Sequence, residues 1–298
     1  MRDTSGPGRS TGSRRPPLGR PALVVVLALL AALVVTPRAG AAPAPLRVLT
    51  LNMHHGSAPD GRTDLDRLAA ELRATRADVI ALQEVDRHFG ERSGFRDQAA
   101  ELAARLGMRA VFGAHLDLGP AAPGDPPRQY GTAVLSRHPV VSTATVPLPA
   151  GVAGEEPRGV LEVVLAAPGG PVRVLTTHLT PGRPASRLLQ ARAVAARVAR
   201  SPQPVLLLGD LNAEPGSPEV RLLTALLTDA GGGPTFPADA PTQRIDYVLG
   251  EGRFVGAEVL PTRSSDHRAV LAVVVPGREG ARRAQSGACS GCGPTAIA

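Results

Sequence analysis

The stretch Val205-Leu206-Leu207-Leu208-Gly209-Asp210-Leu211-Asn212-Ala213-Glu214-Pro215 decides how the chain is read. Four apolar residues bounded by Pro204 and Gly209 have the length of a short strand buried on both faces, and the chain then turns polar. Side chains two apart on an extended segment share a face, so Asp210 and Asn212 are aimed together past the strand end. Alone, the motif reads equally well as a turn, because Asp and Asn bond to their own turn backbone. Its meaning depends on what the other strands deliver.

Working outward, several strands end the same way. Leu46 to Leu51 leads into Asn52-Met53-His54-His55-Gly56, and Asp78 to Leu82 leads into Gln83-Glu84. Val172 to Leu179 carries Thr176-Thr177-His178, and Arg244 to Leu249 carries Asp246. The loop Thr262-Arg263-Ser264-Ser265-Asp266-His267 precedes a last strand, Ala269 to Val275. Met108 to Phe112, Thr132 to Ser136, Val140 to Val146, Arg158 to Leu165 and Phe254 to Leu260 read as further strands.

Helices lie between them. Leu65, Leu68, Ala69 and Leu72 recur at helical spacing, which predicts a helix over 64–75 with Thr63 or Asp64 as N-cap. Gln98 to Leu106 continues a helix begun near Phe95, Pro184 to Arg200 is a third, and Ser217-Pro218-Glu219 starts a fourth. The stretch Ala114 to Tyr130 holds four Pro, which predicts a surface loop. Helices interspersed among strands and hairpins predict mixed sheets rather than wholly parallel ones.

The net charge of +7 suggests nucleic acid until it is divided along the chain. Residues 1–41 hold six Arg against Asp3, and residues 277–298 hold three Arg against Glu279, which together account for the whole excess. The body between them is neutral, and it has no Trp for stacking on bases. Lysine is absent; with Ala, Gly and Pro abundant, this reads as compositional bias.

Arg14-Arg15 and Arg20 precede an apolar run from Ala22 to Val35, and Ala39-Gly40-Ala41 follows. That is the layout of a secretory signal peptide cut after Ala41, with a twin-arginine variant open, and it predicts an exported protein. The run falls short of the about 20 residues of a membrane span; an uncleaved anchor is the alternative. A linker, 42–45, leads to one domain over 46–276 and a tail, 277–298, expected to be disordered. Cys289 and Cys292 in that tail are half of a four-ligand zinc site, or a local disulfide.

Asn52, Glu84, His178, Asp210, Asn212, Asp246, Asp266 and His267 thus stand at or near strand ends in six segments. Singly, each reads as a cap or turn residue. Together they are the carboxylate, amide and imidazole set that a hard divalent cation and a phosphoryl group require. A phosphate-binding loop with lysine is excluded, and a Gly-x-Ser-x-Gly elbow is missing.

Leu51-Asn52-Met53-His54, Leu82-Gln83-Glu84-Val85, Tyr130 to Arg137, Thr177-His178-Leu179, Gly209-Asp210-Leu211-Asn212, Ile245-Asp246-Tyr247 and Ser265-Asp266-His267 resemble, in order, the motifs of the endonuclease/exonuclease/phosphatase superfamily. That group includes deoxyribonuclease I, abasic-site endonucleases, inositol polyphosphate 5-phosphatases and neutral sphingomyelinases. The resemblance runs from about residue 46 to 275. It implies an α/β (α+β) four-layer sandwich, two packed mixed sheets flanked by helices, with the site at one end.

The resemblance also implies roles. Glu84 is the principal metal ligand, with Asn52 and Asp266 in the same Mg2+ or Mn2+ region. Asp210 and Asn212 orient or activate the attacking water, while His267, paired with Asp246, and His178 contact phosphate and move protons. Arg158 and, more loosely, Tyr130 bind the substrate phosphate. His54 stands where some nucleases of the group carry an acidic residue. The expected activity is a secreted phosphodiesterase or phosphomonoesterase, monomeric, acting on a phosphate ester; an extracellular nuclease and a silent phosphate-binding module are the alternatives. Specificity is expected in loops 86–94, 114–130 and 231–241.

Overall fold

The computed structural model describes residues 44–277. The signal-peptide, tail and cysteine readings lie outside that range. Among the described residues, twelve strands are interspersed with four helices. The first half holds β1 (Leu46–Asn52), α1 (Leu65–Ala74), β2 (Val79–Arg87), α2 (Gln98–Leu106), β3 (Arg109–Leu118), β4 (Arg128–Ser136) and β5 (Val140–Pro147). The second half holds β6 (Gly159–Ala167), β7 (Gly170–His178), α3 (Pro184–Ala199), β8 (Val205–Asp210), α4 (Pro218–Thr224), β9 (Thr228–Asp229), β10 (Asp246–Gly250), β11 (Gly252–Leu260) and β12 (Ala269–Pro276).

The strands form two mixed sheets of six, ordered β11-β12-β1-β2-β4-β3 and β5-β6-β7-β8-β10-β9. Each has one parallel pair, β1 with β2 and β7 with β8, joined through α1 and α3 respectively. The other pairings are antiparallel, among them the hairpin β6–β7 and the non-sequential pairs β1–β12, β2–β4 and β8–β10. Three apolar layers follow from the two-residue pleat. Leu49, Leu51, Ile80 and Leu82 pack under α1 and α2, while Val205, Leu207, Tyr247 and Leu249 pack under α3 and α4. The alternate residues Val48, Val79, Ala81, Val174, Leu206, Leu208 and Val248 meet between the sheets. Burying each such Leu or Val contributes roughly 1.5–3 kcal/mol. The result is the four-layer sandwich that the resemblance implies, with the mixed sheets that the pattern of strands and helices predicts.

The helix starts are set by side-chain caps. Asp64 accepts from Arg67 N at 2.9 Å, Asp97 from Ala100 N at 3.0 Å and Ser217 from Val220 N at 3.3 Å. Asp64, not Thr63, is therefore the first cap, and α2 begins at Gln98 rather than near Phe95. Two other expectations need correction. The stretch 114–130 is not all loop: β3 runs on to Leu118 and β4 starts at Arg128, so the connection is 119–127. Likewise β2 does not stop at Gln83-Glu84 but continues to Arg87.

Gly209 shows why the opening motif needs a glycine before its Asp. A Cβ there would lie 2.1 Å from the carbonyl oxygen of Thr177 on the neighbouring strand, and the residue's φ is +157°. Gly209→Ala is expected to cost about 3 kcal/mol or more, read as a lowered urea midpoint, since main chain on both sides must move. An unchanged midpoint would show that β7 and β8 can separate freely.

Candidate active site

The pleat that builds the central core also builds the site. Leu206 and Leu208 share their face with Asp210; Val172 and Val174 with Thr176 and His178; Val48 with Thr50 and Asn52; Val248 with Asp246. Following any of these strands toward one end of the sandwich, the inter-sheet layer changes from apolar to polar. Gln83 marks the change, donating to Thr50 Oγ1 at 3.2 Å and to Thr176 Oγ1 at 3.0 Å and so tying the two sheets together. Beyond it, His178, Asp210 and Asp246 stand opposite one another in register on β7, β8 and β10.

Two β-bulges bring in further groups. On β2, Leu82 pairs with Ala133 and Val85 with Gly131, so Gln83 and Glu84 together oppose one residue of β4. Glu84 takes φ +57° there, and the bulge turns its carboxylate to the Asn52 amide at 3.0 Å. On β3 the register shifts between Ala114 and Leu116, which makes His115 the extra residue. Its Nε2 lies 3.4 Å from Thr132 Oγ1, and Gly159 leaves the space, since a Cβ there would come within 2.6 Å of the ring. Sequence reasoning missed His115, because the prolines of 114–130 masked the strand around it.

At the centre, His267 Nδ1 lies 2.9 Å from Asp246 Oδ2, and its Nε2 lies 3.8 Å from Asp210 Oδ2. The ring of Phe236 covers the imidazole at 4.8 Å. His178 Nε2 lies 3.4 Å from the same Asp210 oxygen, to which Asn52 Nδ2 donates at 3.1 Å. The other Asp210 oxygen accepts from Asn212 N at 2.8 Å; Asn212 holds φ +48° and donates its side-chain amide to Leu179 O at 2.9 Å. Ser265 fixes the His267 loop by donating to Asn52 O at 2.6 Å and accepting from His267 N at 3.1 Å.

Burial sets the charges. Asp210 is 1 % exposed; burial and the neighbouring Asp246 carboxylate push its pKa up to about 7, against the pull of His267. Burial opposes a charge on His267, but Asp246, then Asp210 and Asp266, outweigh it and raise the imidazole to about 10. His178 goes the other way: burial, Arg158 and His267 hold it well below the usual range, so it is neutral. His115 is lowered to about 4 by burial and Arg158. Arg158 is itself buried and reaches Glu156 at 3.1 Å. Arg158 Nε, His178 Nδ1 and Asp246 Oδ1 are buried polar atoms with no hydrogen-bond partner among the described residues.

A second edge collects the expected metal ligands. Asn52 joins Glu84 to Asp210, and Asp266 lies 3.6 Å from His54 Nδ1. Glu84, with His54 and His55, offers three donor atoms within 4.8 Å of one another. The carboxylates Glu84 and Asp266, the imidazoles beside them and partial exposure suit a divalent cation here. The buried set Asp210, Asp246 and His267 is equally compact, but its imidazole is already bonded to Asp246. Burial, Arg92 and His54 lower His55 to about 4, so its imidazole is neutral. His54 and His55 hold φ +44° and +45°, a left-handed conformation that costs on the order of 1–3 kcal/mol for each non-glycine residue. Tyr130 is buried beside the Phe89 ring at 5.7 Å, and burial followed by Glu84 raises its hydroxyl far above the usual phenol range.

Two six-stranded mixed sheets, packed face to face between helices and closed at one end by carboxylates, imidazoles and amides, define a deoxyribonuclease I-like sandwich. The chain belongs to the endonuclease/exonuclease/phosphatase family, whose model matches residues 49–267. Metal-dependent hydrolysis of phosphoric esters is typical of that family. The crystal structure of an endonuclease/exonuclease/phosphatase from Beutenbergia cavernae is 33% identical, with 78% of this chain and 72% of that one covered and a TM-score of 0.65. The human Nocturnin catalytic domain with bound sulfate shares the fold at 20% identity, with coverage of 78% and 94% and a TM-score of 0.61. So does a mannosyl-6-phosphatase from Bacteroides thetaiotaomicron, at 17%, 77% and 99%, and 0.62. No curated protein matches the chain.

The raised His267 pKa has a consequence for stability. The Asp246 pair contributes fully below the 6.5 of an ordinary histidine, and that contribution is lost as pH rises through about 10. Asp246→Asn is expected to bring the His267 midpoint below 6.5, because burial then acts with less opposition. Imidazole NMR on the metal-free protein reads this directly; a midpoint still near 10 would assign the shift to other groups.

Proposed function

We propose that the protein is an exported hydrolase of phosphoric esters that uses Mg2+ or Mn2+. The single observation that carries this reading is the buried cluster in which His267 lies between Asp246, at 2.9 Å, and Asp210, at 3.8 Å, set against the carboxylate edge of Glu84 and Asp266. A carboxylate that titrates near neutrality is matched to taking a proton from water at working pH. Asn212 N holds one Asp210 oxygen and leaves the other turned to the imidazoles, so the base is oriented as well as tuned.

His267 supplies a fixed positive charge for the oxygens of the phosphoryl group, and Asp246 keeps that charge in place. Neutral His178 adds a hydrogen bond, and Arg158 adds a second cation from the floor of the site. A divalent cation held by Glu84, with Asn52 and Asp266, supplies Lewis acidity toward a phosphoryl oxygen. These are preorganised donors facing developing charge, and none of them needs to become a covalent nucleophile.

Export is supported by the arginines and apolar run of residues 1–41, and no helix among the described residues is long and apolar enough to cross a membrane. The neutral body favours a small phosphate ester over a nucleic acid. We place substrate choice in a cavity of about 380 Å³ between the 88–97 and 119–127 segments, lined by His88, Phe95, Ala121, Asp125, Pro126 and Arg128. Its size suits one small ligand. The sulfate bound to Nocturnin and the sugar phosphate named for the Bacteroides phosphatase are the kinds of group such a site would take.

Hydrolysis of bis-(p-nitrophenyl) phosphate tests the reading. Glu84→Gln and His267→Ala are each expected to lower kcat by roughly 10²–10⁴, and a chelator should abolish turnover of the native chain. Full activity in either variant, or indifference to the chelator, would contradict it. Phe95→Ala is expected to raise KM for the preferred ester several-fold with kcat nearly unchanged; equal losses in kcat would place the specificity cavity elsewhere.

A further inference from the structure

The pair His54-His55 is not used by the chemistry above. Both residues follow Asn52 on the turn that leaves β1, and both are held in the left-handed region. The turn does not need their rings. Met53 fills the core, Gly56 packs against Leu65, and the bonds that fix the loop are made by main chain: His54 N to Asn52 Oδ1 at 3.1 Å, Ser57 N to His54 O at 2.8 Å, and Gln98 Nε2 to His55 O at 2.7 Å. The rings meet edge to face at 4.6 Å, and the Nδ1 atom of each is shielded from solvent without a hydrogen-bond partner.

We propose that His54 and His55 join Glu84 in a mixed imidazole and carboxylate site for a first-row transition cation of the Mn2+, Co2+ or Zn2+ class, at the metal edge of the catalytic cluster. The inference rests on the reading of Glu84 as a metal-holding carboxylate. The three donors lie within 4.8 Å of one another. Ligands about 2.1 Å from one ion are at most about 4.2 Å apart, so the site closes with sub-ångström movement of side-chain tips. Mg2+ takes oxygen and keeps its waters, whereas imidazole suits the later divalent ions; two histidines beside one carboxylate therefore narrow the Mg2+ or Mn2+ reading above toward a transition cation. Arg92 approaches His55, but its guanidinium is bonded to both oxygens of buried Asp86, at 2.9 and 2.7 Å, and the pair carries no net charge. Asp266, 3.6 Å from His54 Nδ1, is placed to orient that ring or to add a fourth donor.

Equilibrium dialysis of the chelator-stripped, tag-free full chain against Co2+ in excess Mg2+, with bound metal counted and the visible Co2+ spectrum recorded, tests this without reference to turnover. One Co2+ per chain is expected to be retained against Mg2+. His54→Asn and His55→Asn are each expected to weaken it tenfold or more and to change the spectrum. Asn tolerates the left-handed backbone, so the metal-free variants should melt at or above the native temperature; a marked drop would make the rings structural and overturn the proposal. Unchanged Co2+ affinity in both histidine variants, with a loss in Glu84→Gln, would overturn it and leave the hydrolase reading intact. Affinity unchanged in Glu84→Gln as well would remove the metal role of Glu84 and both readings with it.

Discussion

Two carboxylates, Asp210 and Asp246, face each other on adjacent strands, each only 1 % exposed. Like charges so placed and so dry cannot both be carried without help. The help is specific. His267 sits between them as a cation, the Asn52 amide and the Asn212 main chain donate to Asp210, and one proton is left that Asp210 gains or loses near neutrality. The apolar layer of Leu206, Leu208, Val174 and Val248 holds the strands in the register that sets the two acids opposite each other.

Around this pair the backbone departs from regular geometry wherever a functional group must be re-aimed. Glu84 and Asn212 hold positive φ, and Glu84 and His115 sit on bulges. A regular β2 would have sent Glu84 to the α1 side with Leu82. Neighbouring main-chain and amide bonds hold these conformations, and their strain is concentrated in the polar cluster at the end of the sandwich. The left-handed pair His54-His55 belongs to the same pattern, and so reads as part of the site rather than as loop filler.

Much of the fold was legible in the sequence because the pleat is written in it: Val205 to Leu208 alternates between two apolar layers, and Asp210 continues one of them. The family motifs carried the rest of the cluster. What the sequence hid has physical causes. Bulges break the two-residue period, so Gln83-Glu84 read as a strand end although β2 continues through it. The prolines of 119–127 lent their loop character to both neighbouring strands, and His115 disappeared with them. The contrast between a cationic His267 and a neutral His178 depends on burial and on partners that are distant in sequence.

The proposed chemistry depends on Asp210 being a carboxyl that titrates near the working pH rather than a permanently charged one. Carbon NMR of aspartate-labelled, metal-free protein, with Asp210→Asn to assign the signal, measures that property. The buried pair predicts a midpoint of about 7 for Asp210. A midpoint at the ordinary 3.8 would contradict it, because Asp210 would then be a fixed charge with little tendency to take a proton from water.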